Sequence, residues 1–137
     1  MRTMLKSKIH RARVTGCNID YEGSITVDKL LLEAADILPY ERVEVLDINN
    51  GTRLSTYALE GQAGSGEICL NGAAARLIAK DDIVIILTYS MVKEDETKHV
   101  RPVIVHVDSE NRIVQIKNTI DNSDWSKELI STLGIEG

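Results

Sequence analysis

A chain of 137 residues, 43% of them hydrophobic, has the length of one compact domain with a real core, and two domains would be cramped. With one tryptophan, four tyrosines and no phenylalanine, that core must be built from Ile, Leu, Val and Ala. The balance of 16 basic and 21 acidic residues, net charge −5, argues against nucleic acid as the main partner, and the longest aliphatic run, Ile83-Val84-Ile85-Ile86-Leu87, is too short for a signal peptide or membrane span, so a cytoplasmic, membrane-free protein is expected.

From Thr3 to Val14 the pattern is strand-like. Leu5 and Ile9 alternate with Lys6, Lys8 and His10, so period two puts the polar three on one face and the two aliphatics on the other. A turn from Gly16 to Gly23 leads into a strand, Ser24 to Val27. Asp28 holds the N-cap position of a short helix, Lys29 to Asp36, in a segment ended by Pro39. Arg42 to Ile48 and Thr52 to Leu59 flank Asn49-Asn50-Gly51, and an Asn-Gly between two such runs marks a hairpin. On its second arm Arg53, Ser55, Tyr57 and Leu59 share one face, with Leu54, Thr56 and Ala58 on the other.

Beyond a loop from Gly61 to Gly66, Asn71-Gly72-Ala73-Ala74-Ala75 begins a short helical turn. Asp82 precedes a buried-looking strand, Ile83 to Thr88. Lys93 to Lys98 reads as a charged, solvated loop, and Val103 to Val107 and Ile113 to Ile116 as two more strands. In the tail, Trp125, Leu129, Ile130, Leu133 and Ile135 stand at nearly helical spacing, which predicts a docking helix or a partly disordered end over 118–137. Short strands, tight turns and few helices predict a single mainly β domain, 1–137, built as a small barrel or sandwich.

Few local motifs carry chemistry alone. Gly61 and Gly66 copy the glycine spacing of a phosphate loop, but Glu67 follows where lysine would be needed, and its carboxylate would repel phosphate. Cys17 and Cys69 form no C-x-x-C pair and read as free thiols filling small spaces. His10, His99 and His106 lack metal-ligand spacing, so no metal is expected. Tyr21-Glu22-Gly23-Ser24 reads by itself as a polar turn entering a strand.

The motifs taken together are more specific. Arg2-Thr3-Met4-Leu5, Lys8-Ile9-His10-Arg11, Tyr21-Glu22-Gly23-Ser24, Asn50-Gly51, Ser55-Thr56-Tyr57, Asn71-Gly72-Ala73-Ala74-Ala75 and Asp82-Ile83-Val84-Ile85-Ile86 occur in one order. In that order and spacing the chain resembles the bacterial aspartate 1-decarboxylases, which depend on a pyruvoyl group. The resemblance covers about the first 115 residues of this chain and leaves the tail unmatched. It implies a six-stranded double-psi β-barrel with short helices, assembled as a homotetramer with active sites between subunits.

The resemblance also implies a chemistry for the turn. The Ser24 hydroxyl attacks the Gly23 carbonyl carbon, and the acyl group moves from nitrogen to oxygen. β-Elimination releases residues 1–23 as a carboxylate and leaves dehydroalanine. Hydrolysis then expels ammonia, so residues 24–137 begin with a pyruvoyl group derived from Ser24. Thr56 and Asn71 would support this cleavage, spontaneously or with a maturation factor. The pyruvoyl ketone would form a Schiff base with L-aspartate, and loss of carbon dioxide would yield β-alanine for pantothenate synthesis.

By the same resemblance Lys8 and Arg53 bind the substrate together with Thr56, Gly72, Ala73 and Ala74, while Tyr57 donates the proton. Thr56 and Tyr57 are adjacent and should face opposite ways in a regular strand. A bulge, or a site shared between subunits, would reconcile them. Leu46 stands where some members of the family have a larger aromatic. The competing reading is a non-catalytic β-barrel binding module of the same fold. A serine hydrolase is disfavoured because no G-x-S-x-G elbow surrounds Ser24.

Overall fold

The computed structural model describes residues 1–118, so the tail from Thr119 onward, with its expected docking helix or disordered end, lies outside the described residues. In chain order the elements are β1 (Arg2–Arg13), β2 (Gly16–Asn18), β3 (Ser24–Asp28), α1 (Lys29–Ala34), β4 (Arg42–Asp47), β5 (Arg53–Gly61), β6 (Ile68–Asn71), β7 (Ile83–Val92), β8 (Val103–Val107) and β9 (Ile113–Lys117). Two 3-10 turns, Gly72–Arg76 and Glu94–His99, complete the set. The strands form one nine-stranded sheet in the order β2-β6-β3-β5-β4-β7-β1-β8-β9. β1–β8, β2–β6 and β3–β5 are parallel, and the other neighbours are antiparallel.

The mainly β expectation is met, with helices short as foreseen. The order is open, ending on β2 and β9, so the sheet is barrel-like without ladders that close it. Val14 and Thr15 carry the chain from β1 to the far end of that order, where Thr15 N–H donates to Ile68 O at 2.8 Å. The core is aliphatic, as the absence of phenylalanine requires. Ile9, Ile25, Val27, Leu31, Val43, Ile68, Leu70 and Ile86 are all buried in it, each stabilising the fold by roughly 1.5–3 kcal/mol.

β1 corrects the simple alternation expected for it. Leu5 pairs with Tyr89, while Ile9 pairs with Ile86, three positions away on β7. Leu5 and Ile9 therefore face opposite sides, because an irregularity at Lys6 shifts the register. A second shift lies between Ile9 and Ala12, where Arg11 takes a left-handed φ of 64°. Even alternation from Ile9 would have driven Arg11 into the core; the bulge buries Ala12 in its place.

The expected turn Gly16 to Gly23 also needs correction. Its first part is β2, held in parallel register by β6, a strand the sequence pattern did not announce. Both are too short to show a period, and both depend on partners distant in sequence. The helix is shorter than expected: α1 stops at Ala34, with Asp36 at a φ of 55°, before Pro39 is reached. Its start is as expected, since the buried Asp28 carboxylate accepts the Leu30 N–H at 2.8 Å. The hairpin is also present, with Gly51 at a φ of 76° and β4 paired to β5.

Candidate active site

Ser24 opens β3 and pairs with Asn71, the last residue of β6. Its side chain is wholly buried, at 0% exposure. The Oγ accepts a hydrogen bond from Asn71 Nδ2 at 2.9 Å, and its hydroxyl donates to Glu22 O at 3.1 Å. The same amide nitrogen donates to Thr26 Oγ1 at 3.0 Å, and Asn71 Oδ1 accepts from the Cys69 thiol at 3.4 Å. A buried nucleophilic oxygen is thus held by an amide whose two protons are both committed.

The two glycines divide their work unequally. At Gly23, φ is outside the left-handed region and a Cβ would meet nothing within 4 Å. The demand falls on Gly72. Its φ is +67°, and a Cβ on it would lie 2.7 Å from both Gly23 Cα and Gly23 N. Only glycine lets this backbone lie against residue 23. Ala73 is exposed and Ala74 half-buried in the 3-10 turn that continues from Gly72.

Tyr57 comes to this neighbourhood through β5. The parallel β3–β5 ladder begins with Ile25 paired to Ala58, and Ser24 and Tyr57 are the residues just before that pair on their two strands. Tyr57 is half-buried, its ring 6.4 Å from that of Tyr40. The β4–β5 ladder runs unbroken from Arg42↔Tyr57 to Leu46↔Arg53, which removes the bulge as a way of turning Thr56 and Tyr57 to one face.

The two expected substrate cations are on β1 and at the start of β5. Lys8 is on β1, separated from β3 in the strand order by β5, β4 and β7. Its strand neighbour Lys6 is tied to Glu41 at 2.6 Å, whereas the Lys8 ammonium has no ion pair or hydrogen bond among the described residues. Beside it the His10 and His106 rings meet edge-on, with centroids 5.3 Å apart. Burial pushes the pKa of both imidazoles down; Lys8 adds to this at His10, and Lys117 and Lys8 add to it at His106. Arg53 is exposed at the start of β5, opposite Leu46, and is likewise unpaired among the described residues.

A model of the family "Aspartate decarboxylase" matches residues 1–114. The chain belongs to the aspartate decarboxylase family. It is 62% identical to the aspartate 1-decarboxylase of Dehalococcoides mccartyi over 117 residues, which is 85% of this chain and 94% of that protein. It is 56% identical to the aspartate 1-decarboxylase of Thermoanaerobacter pseudethanolicus over 115 residues, 84% of this chain and 98% of the other. The Staphylococcus aureus aspartate 1-decarboxylase is 49% identical over 123 residues, 90% of this chain and 97% of its own length.

In this member of the aspartate decarboxylase family, one protomer brings together Gly23, Ser24, Asn71 and Gly72, with Tyr57 on the neighbouring strand β5. Neither Lys8 nor Arg53 is hydrogen-bonded to Ser24 or Asn71 among the described residues. Sequence reasoning missed two contacts of Asn71, Thr26 and Cys69. A signal existed, since Asn71 and Cys69 are two apart and must share a face once β6 is known to be a strand. Both cysteines are free thiols, as expected. Cys17 is exposed, its thiol donating to Ile78 O at 3.1 Å, and it lies on β2 next to the strand of Cys69, far as the two are in sequence.

Proposed function

We propose that this chain is a self-processing aspartate 1-decarboxylase that converts L-aspartate to β-alanine and carbon dioxide for pantothenate synthesis. The observation that carries the reading is the buried Ser24 Oγ, held by Asn71 in a chain of this family and backed by Gly72 against Gly23. The Oγ adds to the Gly23 carbonyl carbon, the C–N bond to Ser24 breaks, and an ester forms. Loss of the Ser24 Cα proton expels residues 1–23 as a carboxylate, and water then replaces the nitrogen of the dehydroalanine, releasing ammonia.

The residues around Ser24 suit the pyruvoyl group this would leave, because Asn71 offers a donor where a keto oxygen would need one. That group would supply an electron-withdrawing ketone, the chemistry that loss of carbon dioxide from the substrate requires. The protein does the rest. Lys8 and Arg53, cations without carboxylate partners among the described residues, pair with the two substrate carboxylates. Tyr57 returns a proton to the reacting carbon, and the turn Gly72 to Ala74 with Thr56 lines the pocket.

The strand order supports a site shared between subunits of a homotetramer, since Lys8 and Ser24 lie on widely separated strands of one sheet. No helix among the described residues is long and apolar enough to cross a membrane.

Intact-mass measurement of the purified protein tests the reading. Residues 1–23 should appear as a free fragment, and the larger piece should weigh one ammonia less than residues 24–137. Ser24→Ala should abolish both the cut and carbon dioxide release from aspartate. If the alanine variant still decarboxylates aspartate, the reading is wrong.

A further inference from the structure

We infer that Cys69 and Thr26 are positioning residues for self-cleavage, fixing the Asn71 amide so that its nitrogen, not its oxygen, faces Ser24. The inference rests on the self-processing reading and adds two residues to it. In the β3–β6 ladder Ser24 stands opposite Asn71 and Thr26 opposite Cys69. Residues two apart on a strand share a face, so the four side chains form a square on one side of the two strands.

A primary amide can sit either way round, and only its neighbours choose. Here the thiol makes the choice, and the two hydroxyls, which can accept as well as donate, take the amide protons. The Cys69 thiol donates to Asn71 Oδ1 at 3.4 Å, a bond available only to the oxygen. Burial, with the Glu67 carboxylate and Cys17 nearby, pushes the thiol pKa up, so the S–H stays in place as a donor. Thr26 Oγ1 accepts one amide proton at 3.0 Å and Ser24 Oγ the other at 2.9 Å.

The Ser24 hydroxyl proton is already committed to Glu22 O. A flipped amide would set oxygen against oxygen at Ser24 and would leave the thiol facing an NH2 group. The held orientation matters for the acyl shift. The hydroxyl proton passes to the Ser24 nitrogen as the C–N bond to Gly23 breaks, and a donor at Oγ offsets the charge left on that oxygen in transit where an acceptor would oppose it.

The test follows the uncut fraction of freshly purified full-length chain over time by intact mass, with thermal unfolding of each variant alongside. Cys69→Ala should slow cleavage roughly tenfold, the scale of one lost hydrogen bond to a buried partner. Cys69→Ser, which restores a donor, should stay within about threefold of the parent. Across the ladder Thr26→Val should slow cleavage where Thr26→Ser does not, a second reading that survives if Cys69→Ala folds poorly. Cleavage of Cys69→Ala at the parent rate, or of Cys69→Ser as slowly as Cys69→Ala, overturns the positioning role alone. A parent chain that is never cut overturns the processing reading and this role with it.

Discussion

At Gly72 one added methyl group would undo the most. The left-handed φ of +67° costs an L-residue roughly 1–2 kcal/mol, and the 2.7 Å approach to Gly23 adds a collision with backbone that cannot rotate away. Gly72→Ala should lower stability in a denaturant titration by more than the dihedral cost alone and should stop the appearance of the smaller fragment. Tyr57 carries a different expectation. Tyr57→Phe keeps the ring and loses the phenol, so the chain should still cut itself while aspartate turnover falls by about 100-fold or more, the scale of a lost general acid. Normal turnover in that variant would remove Tyr57 as the proton donor. Both residues were legible through the family motifs; that the steric demand sits on Gly72 and not Gly23 was not, because no motif shows which backbones touch.

The elements hold the site through a few long-range clips. Asn111, in the β8–β9 turn at a φ of 61°, is buried and accepts the Arg13 N–H at 2.7 Å. Its amide nitrogen donates to Arg13 O at 2.7 Å and Gly66 O at 2.8 Å. One side chain thus joins the end of β1, the glycine loop and the last hairpin. The Asp28 carboxylate serves the other side of that loop, accepting from Gly64 N at 3.0 Å and Gly66 N at 2.8 Å besides capping α1. Asn111→Ala should cost roughly 2–4 kcal/mol, since it strands one buried and two part-buried backbone groups, and the loss should register as a lower denaturation midpoint. The N-cap role of Asp28 could be foreseen from its place before an apolar run. The Asn111 clip could not, because its partners stand far up the chain and no spacing rule relates them.

Across the whole molecule, charge and assembly set the expectations. His10 and His106 face each other with Lys8 and Arg11 on β1 and Lys117 on β9 around them, and both titrate below the ordinary imidazole value. As pH falls below about 6.5, the unfolded chain therefore takes up protons before the folded one does, and folding stability drops. The melting temperature should fall between about pH 7 and pH 5.5, and the double change His10→Gln with His106→Gln should flatten that slope. A slope unchanged in the double variant would assign it to other groups. The strand order predicts complementation as well. If Lys8 and Ser24 of different subunits meet, co-expressing Lys8→Ala with Ser24→Ala should restore part of the activity that each lacks alone. No recovery in demonstrably mixed oligomers would place both residues in one protomer's site.

Local chemistry alone determined the Asn-Gly hairpin, the Asp28 cap, the strand that begins at Ser24, the aliphatic core and, through motif order, the family. These depend on turn residues and period-two patterning that a short window contains. Only the tertiary structure decided that β2 and β6 are strands, that bulges in β1 bury Ala12 and separate Leu5 from Ile9, and that Cys69 and Thr26 complete the hold on Asn71. Each of those depends on register between strands remote in sequence, and a one-residue slip in register reverses every facing side chain without changing a letter of the local pattern.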